Sequence, residues 1–195
     1  VAGAVLLGAL SASADAACDT ETEYHCTSLE AENTGGGKGY HLLLDDHFNS
    51  YVIPDDPEYL EYRYIRWIAS AINSSFPGKE PLDVVSGFTL PRWLEATRPG
   101  SRSTVLEIDG QLVDFVEERL GLRTSPQLQV SVGDARIEML DLPSDSADVV
   151  VGDAFSGLAV PWHLTTTEWM EEVERVLKPS GIYMAYLIDL PPLGF

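Results

Sequence analysis

Positive charge is scarce in this chain. Its 195 residues carry 12 Lys plus Arg against 31 Asp plus Glu, a formal net charge of −19. A surface of that sign repels phosphate backbones, which argues against nucleic acid as a partner and favours a small cation. A merely solvated acidic surface gives the same count. Cysteine is nearly absent as well, with Cys18 and Cys26 alone in "CDTETEYHC". With His25 adjacent and no second Cys/His cluster, they do not supply the four ligands of a zinc site. They suit a local disulfide in an oxidising compartment, or two free thiols elsewhere. Long apolar runs are missing apart from residues 1–17, "VAGAVLLGALSASADAA", which has no charge before Asp15. That run is shorter than the ~20 residues that span a bilayer. It reads as the end of a transmembrane helix or as a signal-like segment without its basic start, ahead of a buried soluble helix.

Nucleotide-loop signatures are equally thin. "TGGGKG" places Gly39 after Lys38 where a phosphate loop needs Ser or Thr, and no strong helix follows. A hairpin loop is the better reading. In "HLLLDDH", strand alternation puts His41, Asp45 and His47 on one face. That leaves a metal site open, but the expectation here is no metal.

The apolar pattern that is present has two parts. Residues 18–56 read as short strands and turns, a small N-terminal β subdomain. "DDPEYLEYRYIRWIASAINSSF" then reads as one amphipathic helix with Asp55 or Asp56 near its start. Leu60, Tyr64, Trp67, Ile68 and Ala71 would form its core stripe. From Pro81 the rhythm becomes strand–helix alternation: "LDVV", "STVLEI", "LQVSV", "ADVVV" and "GIYMAYLI", with helices near 90–97, 110–121 and 165–177. This predicts an α/β domain over 57–195, a Rossmann-like doubly wound sheet that is mostly parallel with helices on both faces. Ligands of such sheets bind beyond the strand C-termini at the switch of strand order.

Three of those strand ends are acidic: "VLEID" with Glu107 and Asp109, "VSVGDAR" with Asp134 before Ala135, and "VVVGDAFSG" with Asp153. Any one of them could be a helix cap or turn former. Together they predict a ligand site. Glu107 stands 20 positions after Gly87, the spacing at which an acid grips a ribose diol. The first strand–helix turn, "DVVSGFTLPRW", holds the single glycine Gly87 after Ser86, with Thr89 as a possible cap and Pro91 in the first helical turn.

The succession "LDVV…G…LPRW", "VLEID", "VGDAR", "ADVVVGDAFSG" and "VLKPSGIYM" resembles the spermidine synthase, or aminopropyltransferase, branch of the class I methyltransferase-like fold. "LLLDDHFNSYVIPDDPEYLEYRYIR" is similar to that family's lead-in. The likeness is nearest to domains fused behind a multi-spanning membrane segment, where a "C..ET.Y.C" stretch opens the domain. It covers the chain from about Cys18 to Phe195. The resemblance implies decarboxylated S-adenosylmethionine as donor and a polyamine as acceptor, membrane attachment through a preceding segment, and room for a homodimer. It implies that Glu107 holds the ribose, that Asp134 with Ala135 receives the adenine amino group, and that Asp153 takes the proton from the attacking amine. Tyr62 would position that amine. The departures are specific. The glycine loop is about three residues short, and Ser156 stands where a second acid is expected. Ser50 or Asn49 replaces a glutamine, and the chain stops at "DLPPLGF" before a final helix and strand pair. The short loop implies weak donor binding and a narrowed pocket mouth. S-adenosylmethionine-dependent methyl transfer and a non-catalytic nucleoside- or polyamine-sensing module are the alternative readings.

Overall fold

The computed structural model describes residues 18–34, 37–155 and 159–188. The apolar run 1–17, Gly35 and Gly36 of the glycine loop, Ser156, and residues 189–195 lie outside the described residues. Among the described residues, no helix is long and apolar enough to cross a membrane.

Four strands form an N-terminal antiparallel sheet in chain order: β1 (Thr20–Glu21), β2 (Cys26–Thr34), β3 (Gly37–Leu44) and β4 (His47–Val52). Asp45 and Asp46 make the β3–β4 turn with φ of 52° and 63°, the left-handed pair that a two-residue hairpin requires. Asp45 is anchored by the Cys26 N–H at 2.9 Å and by His25 Nδ1 at 2.8 Å. These contacts hold its carboxyl below the usual range, with the His25 hydrogen bond as the largest cause. His41, Asp45 and His47 therefore do not converge. His41 faces Tyr62 and Glu32, while His47 Nδ1 meets the Asp45 carbonyl. Between Leu42↔Ser50 and Leu43↔Phe48 the register shifts, so Asn49 is the extra residue of a β-bulge. Cys18 and Cys26 are joined by a disulfide.

Helix α1 spans Arg63–Ser75, so the predicted start at Asp55 or Asp56 moves seven or eight positions along. The reason is local. Asp56 N–H donates back to the Ile53 carbonyl at 3.1 Å, and Pro54 and Pro57 withhold two donors from any helix. The apolar stripe is rotated too. Ile65, Ile68, Ala69 and Ile72 are buried, whereas Trp67 is 65% exposed beneath the Arg63 guanidinium.

The second sheet is wholly parallel. Its elements run β5 (Asp83–Ser86), α2 (Thr89–Thr97), β6 (Arg102–Glu107), α3 (Gly110–Leu120), β7 (Leu128–Val132), α4 (Ala135–Glu138), β8 (Ala147–Gly152), α5 (Thr167–Val176) and β9 (Leu177–Ala185). The strand order is β7-β6-β5-β8-β9. The chain thus winds outward from β5 through β6 to β7, then returns to the other side of β5 for β8 and β9. The switch falls between β5 and β8, between Ser86 and Gly152. β9 starts earlier than predicted, at Leu177, and ends at Ala185 rather than Ile188. Helices cover both faces. Val84 and Val149 pack with Ile68, Ile72 and Leu94; Val85 and Val150 pack with Trp169 and Val173. Strands buried on both faces explain the unbroken valine runs. Leu42 of β3 packs against Leu112 and Val116 of α3, which sets the small sheet beside the parallel-strand ends.

Candidate functional site

A cleft of about 940 Å³ opens where the switch point meets the small sheet, the place that doubly wound topology assigns to a ligand. Glu107, Asp134, Ala135, Asp153, Gly87, Tyr62 and Ser50 all line it. The structure therefore brings together every predicted site residue that it describes. Ser156 lies outside the described residues.

Glu107 ends β6. Its Oε1 accepts the Asp109 backbone N–H at 3.0 Å. Burial pushes its carboxyl up, partly offset by that hydrogen bond. Asp109, two residues on, has a different duty: its Oδ1 accepts from the Gln111 and Leu112 N–H groups and caps α3. Asp134 lies two residues past the next strand, β7, and caps a helix, taking the Arg136 N–H at 2.8 Å. Its other oxygen faces His163 Nε2 at 3.2 Å. Thus two of the acids at these strand ends act as caps, as the plainer reading of a single acid allows. A carboxylate has about four lone-pair positions, so Asp134 keeps acceptor capacity toward the cleft.

Asp153 follows β8 and is the most perturbed acid of the three. Burial pushes its carboxyl up to about 7, even though the Tyr64 hydroxyl donates to Oδ2 and works in the opposite direction. The Tyr64 ring stacks on Tyr186 at 4.2 Å and 10° between planes, and Phe155 meets Tyr186 edge-on at 5.4 Å. Tyr186 is fixed by its N–H on the Gly152 carbonyl at 2.9 Å. Sequence reading assigned Tyr64 to the core, and missed Tyr186 and His163. The signal for Tyr64 was its place two residues after Tyr62 in "EYRYIR". None pointed to Tyr186, because only the sheet carries it beside Asp153.

The Tyr62 hydroxyl donates to the Ser50 carbonyl at 3.4 Å and lies 3.0 Å from His41 Nδ1. Burial, with Glu61 and Glu32 nearby, pushes its phenol up to about 12, so it stays neutral and serves as a hydrogen-bonding group. At the first strand–helix turn, Ser86 is still part of β5 and pairs with Val105. Helix α2 follows directly after Phe88, with no side-chain cap, so Thr89 is its first residue rather than its cap. Gly87 does not take a positive φ, and a Cβ there would meet nothing within 4 Å.

A family model described as a methyltransferase domain matches residues 82–185, more than half of the chain. The chain belongs to this methyltransferase-domain family. The parallel sheet and its switch-point cleft are the class I form of that fold. A polyamine aminopropyltransferase of Vibrio vulnificus is 28% identical over 138 residues, covering 69% of this chain and 46% of that protein. A probable spermidine synthase from Corynebacterium glutamicum superposes with a TM-score of 0.75 at 30% identity, covering 85% of this chain and 62% of that one. Human methyltransferase-like protein 13, solved in complex with SAH, gives a TM-score of 0.51 at 19% identity over 60% of this chain and 62% of its own; that likeness shows the fold alone. The chain spans about half to three fifths of the length of these relatives.

Proposed function

We propose that this domain transfers an aminopropyl group from decarboxylated S-adenosylmethionine to a polyamine. The observation that carries the reading is Asp153, a carboxyl near 7 in an aromatic, largely buried corner of the cleft. An amine acceptor is mostly protonated at neutral pH, and an acid tuned near the working pH is suited to take its proton. The relatives named for aminopropyl transfer support the same reading. Glu107 and the open turn at Gly87 fit the ribose side of a nucleoside donor, with Asp134 and Ala135 on its base side. The donor supplies an electrophilic sulfonium carbon when bound. The chain's own contribution is to orient the amine with Tyr62 and Ser50 and to receive its proton at Asp153.

Methyl transfer from S-adenosylmethionine is the second reading, favoured by the family match over residues 82–185. Titration calorimetry with S-adenosylmethionine, its decarboxylated form and a polyamine separates the two, with product analysis on each donor. Aminopropyl product from the decarboxylated donor supports the first reading. Methylated product alone overturns it, and binding without turnover assigns a sensing module. With a single glycine at the donor turn, we expect donor affinity weaker than micromolar; micromolar binding makes the short turn a working loop. Membrane attachment through a segment preceding the domain, of which residues 1–17 would be the end, and association as a homodimer belong to the same proposal. Membrane fractionation and sedimentation of the full-length protein test them.

A further inference from the structure

Among the described residues, the segment closed by the Cys18–Cys26 disulfide hydrogen-bonds the parallel-sheet domain at the start of α3, and its His25 lines the cleft near enough to Glu107 to favour the charged carboxylate. The Thr22 hydroxyl lies against Asp109 Oδ2, and the Glu23 N–H donates to Gln111 Oε1 at 2.9 Å. Thr22 has a single hydroxyl proton. Its oxygen accepts the His25 N–H at 2.9 Å, and of the two acceptors in reach of the proton, the His25 carbonyl at 3.1 Å and Asp109 Oδ2, the carboxylate is the stronger. Asp109 is 1% exposed. Its Oδ1 is occupied by the cap of α3, and its Oδ2 accepts from Thr22. The Asp109 N–H in turn holds Glu107 Oε1.

We propose that the Cys18–Cys26 loop is a positioning element of the nucleoside site: the disulfide holds Thr22, Thr22 fixes Asp109, and Asp109 fixes the Glu107 carboxylate. The inference rests on the reading of Glu107 as the ribose-facing acid. It assigns to a β-sheet appendage, distant in sequence from the strand ends, a share in donor affinity. Thr22 and Asp109 act through Glu107 and need not touch the ligand.

The test uses the oxidised full-length protein, its Cys18→Ser/Cys26→Ser form, Thr22→Val and Thr22→Ser. Two quantities are read: the titration of the Glu107 carboxyl by carbon NMR, and the affinity for adenosine. Loss of the tie loosens the Asp109 N–H contact on Glu107 and frees His25, both of which favour the charged carboxylate, so the Glu107 titration moves to higher pH in Thr22→Val and in the cysteine variant. Adenosine affinity falls roughly five- to tenfold in both, the scale of one ordinary hydrogen bond. Thr22→Ser, which keeps the hydroxyl, retains both properties. An unchanged Glu107 titration in Thr22→Val and in the cysteine variant overturns the proposal, as does a shifted titration with unchanged adenosine affinity. If adenosine binds no form of the protein, the nucleoside reading of the site fails, and with it the assignment of the loop to that site. A Glu107 titration that still shifts would then show that the tie itself is real.

Discussion

One proton on Asp153 bears on stability and on the proposed transfer alike. Its folded-state value of about 7 lies above the ordinary 3.8, so the native protein binds more protons than the unfolded chain between those values. Stability from this group is complete below about pH 4 and is lost as pH rises toward 7. At about 1.4 kcal/mol per pH unit, the loss is on the order of a few kcal/mol. Asp153→Asn should flatten that slope in urea melts across the window, abolish amine transfer, and leave donor affinity within a few-fold. Transfer by the wild type should rise with pH through about 7. Tyr64→Phe removes the hydrogen bond that lowers the Asp153 value, so it should push that rise to higher pH; an unmoved profile would separate Tyr64 from the acid. Glu107→Gln should weaken nucleoside binding by roughly 1.5–3 kcal/mol, the scale of hydrogen bonds to charged groups. Equal calorimetric affinities of mutant and wild type would remove Glu107 from the site.

Among the elements, the β5–α2 turn makes the clearest separate prediction. Gly87 needs no left-handed backbone, and an added Cβ has open space. Gly87→Ala should therefore change thermal stability by no more than about 0.5 kcal/mol, as for surface changes away from special features. If the donor lies against this turn, the same methyl should weaken its binding at least several-fold. A large fall in melting temperature would mean that the turn, and not a ligand, requires glycine. The strands and helices from Pro81 onward were legible in the sequence because a parallel sheet writes continuous apolar runs between amphipathic helices. Helix α1 was legible only in part. Its period was plain, but its start and the outward face of Trp67 depended on the Ile53–Asp56 turn and on which side the sheet lay.

At the scale of the whole molecule, the charge of −19 should govern the binding of cations but not of neutral nucleosides. Polyamine affinity should fall steeply from low to high salt while adenosine affinity stays nearly constant. Equal salt slopes would show that the acidic surface plays no part in recognition. The Cys18–Cys26 link closes a loop of sequence separation 8, worth about 2–3 kcal/mol in the loop-entropy account. Mass mapping of non-reduced protein from its own host should find it if the domain faces an oxidising compartment; two free thiols would place the domain on a reducing side.

The order of strands and helices, the acids at the strand ends and the poverty of cations were written in the sequence itself, because periodicity, spacing and composition are properties of the chain. From them came the doubly wound fold and the cleft-lining places of Glu107, Asp134 and Asp153. The sequence could not divide labour among those acids. Asp109 and Asp134 cap helices, Asp134 also faces His163, and Asp153 alone is driven to about 7. Those differences arise from burial and from partners up to 89 positions away in the chain, such as Tyr64 against Asp153. Desolvation and hydrogen-bond supply at a strand end are set by what the other elements bring over it, so only the tertiary structure decided which acid is held close to neutrality.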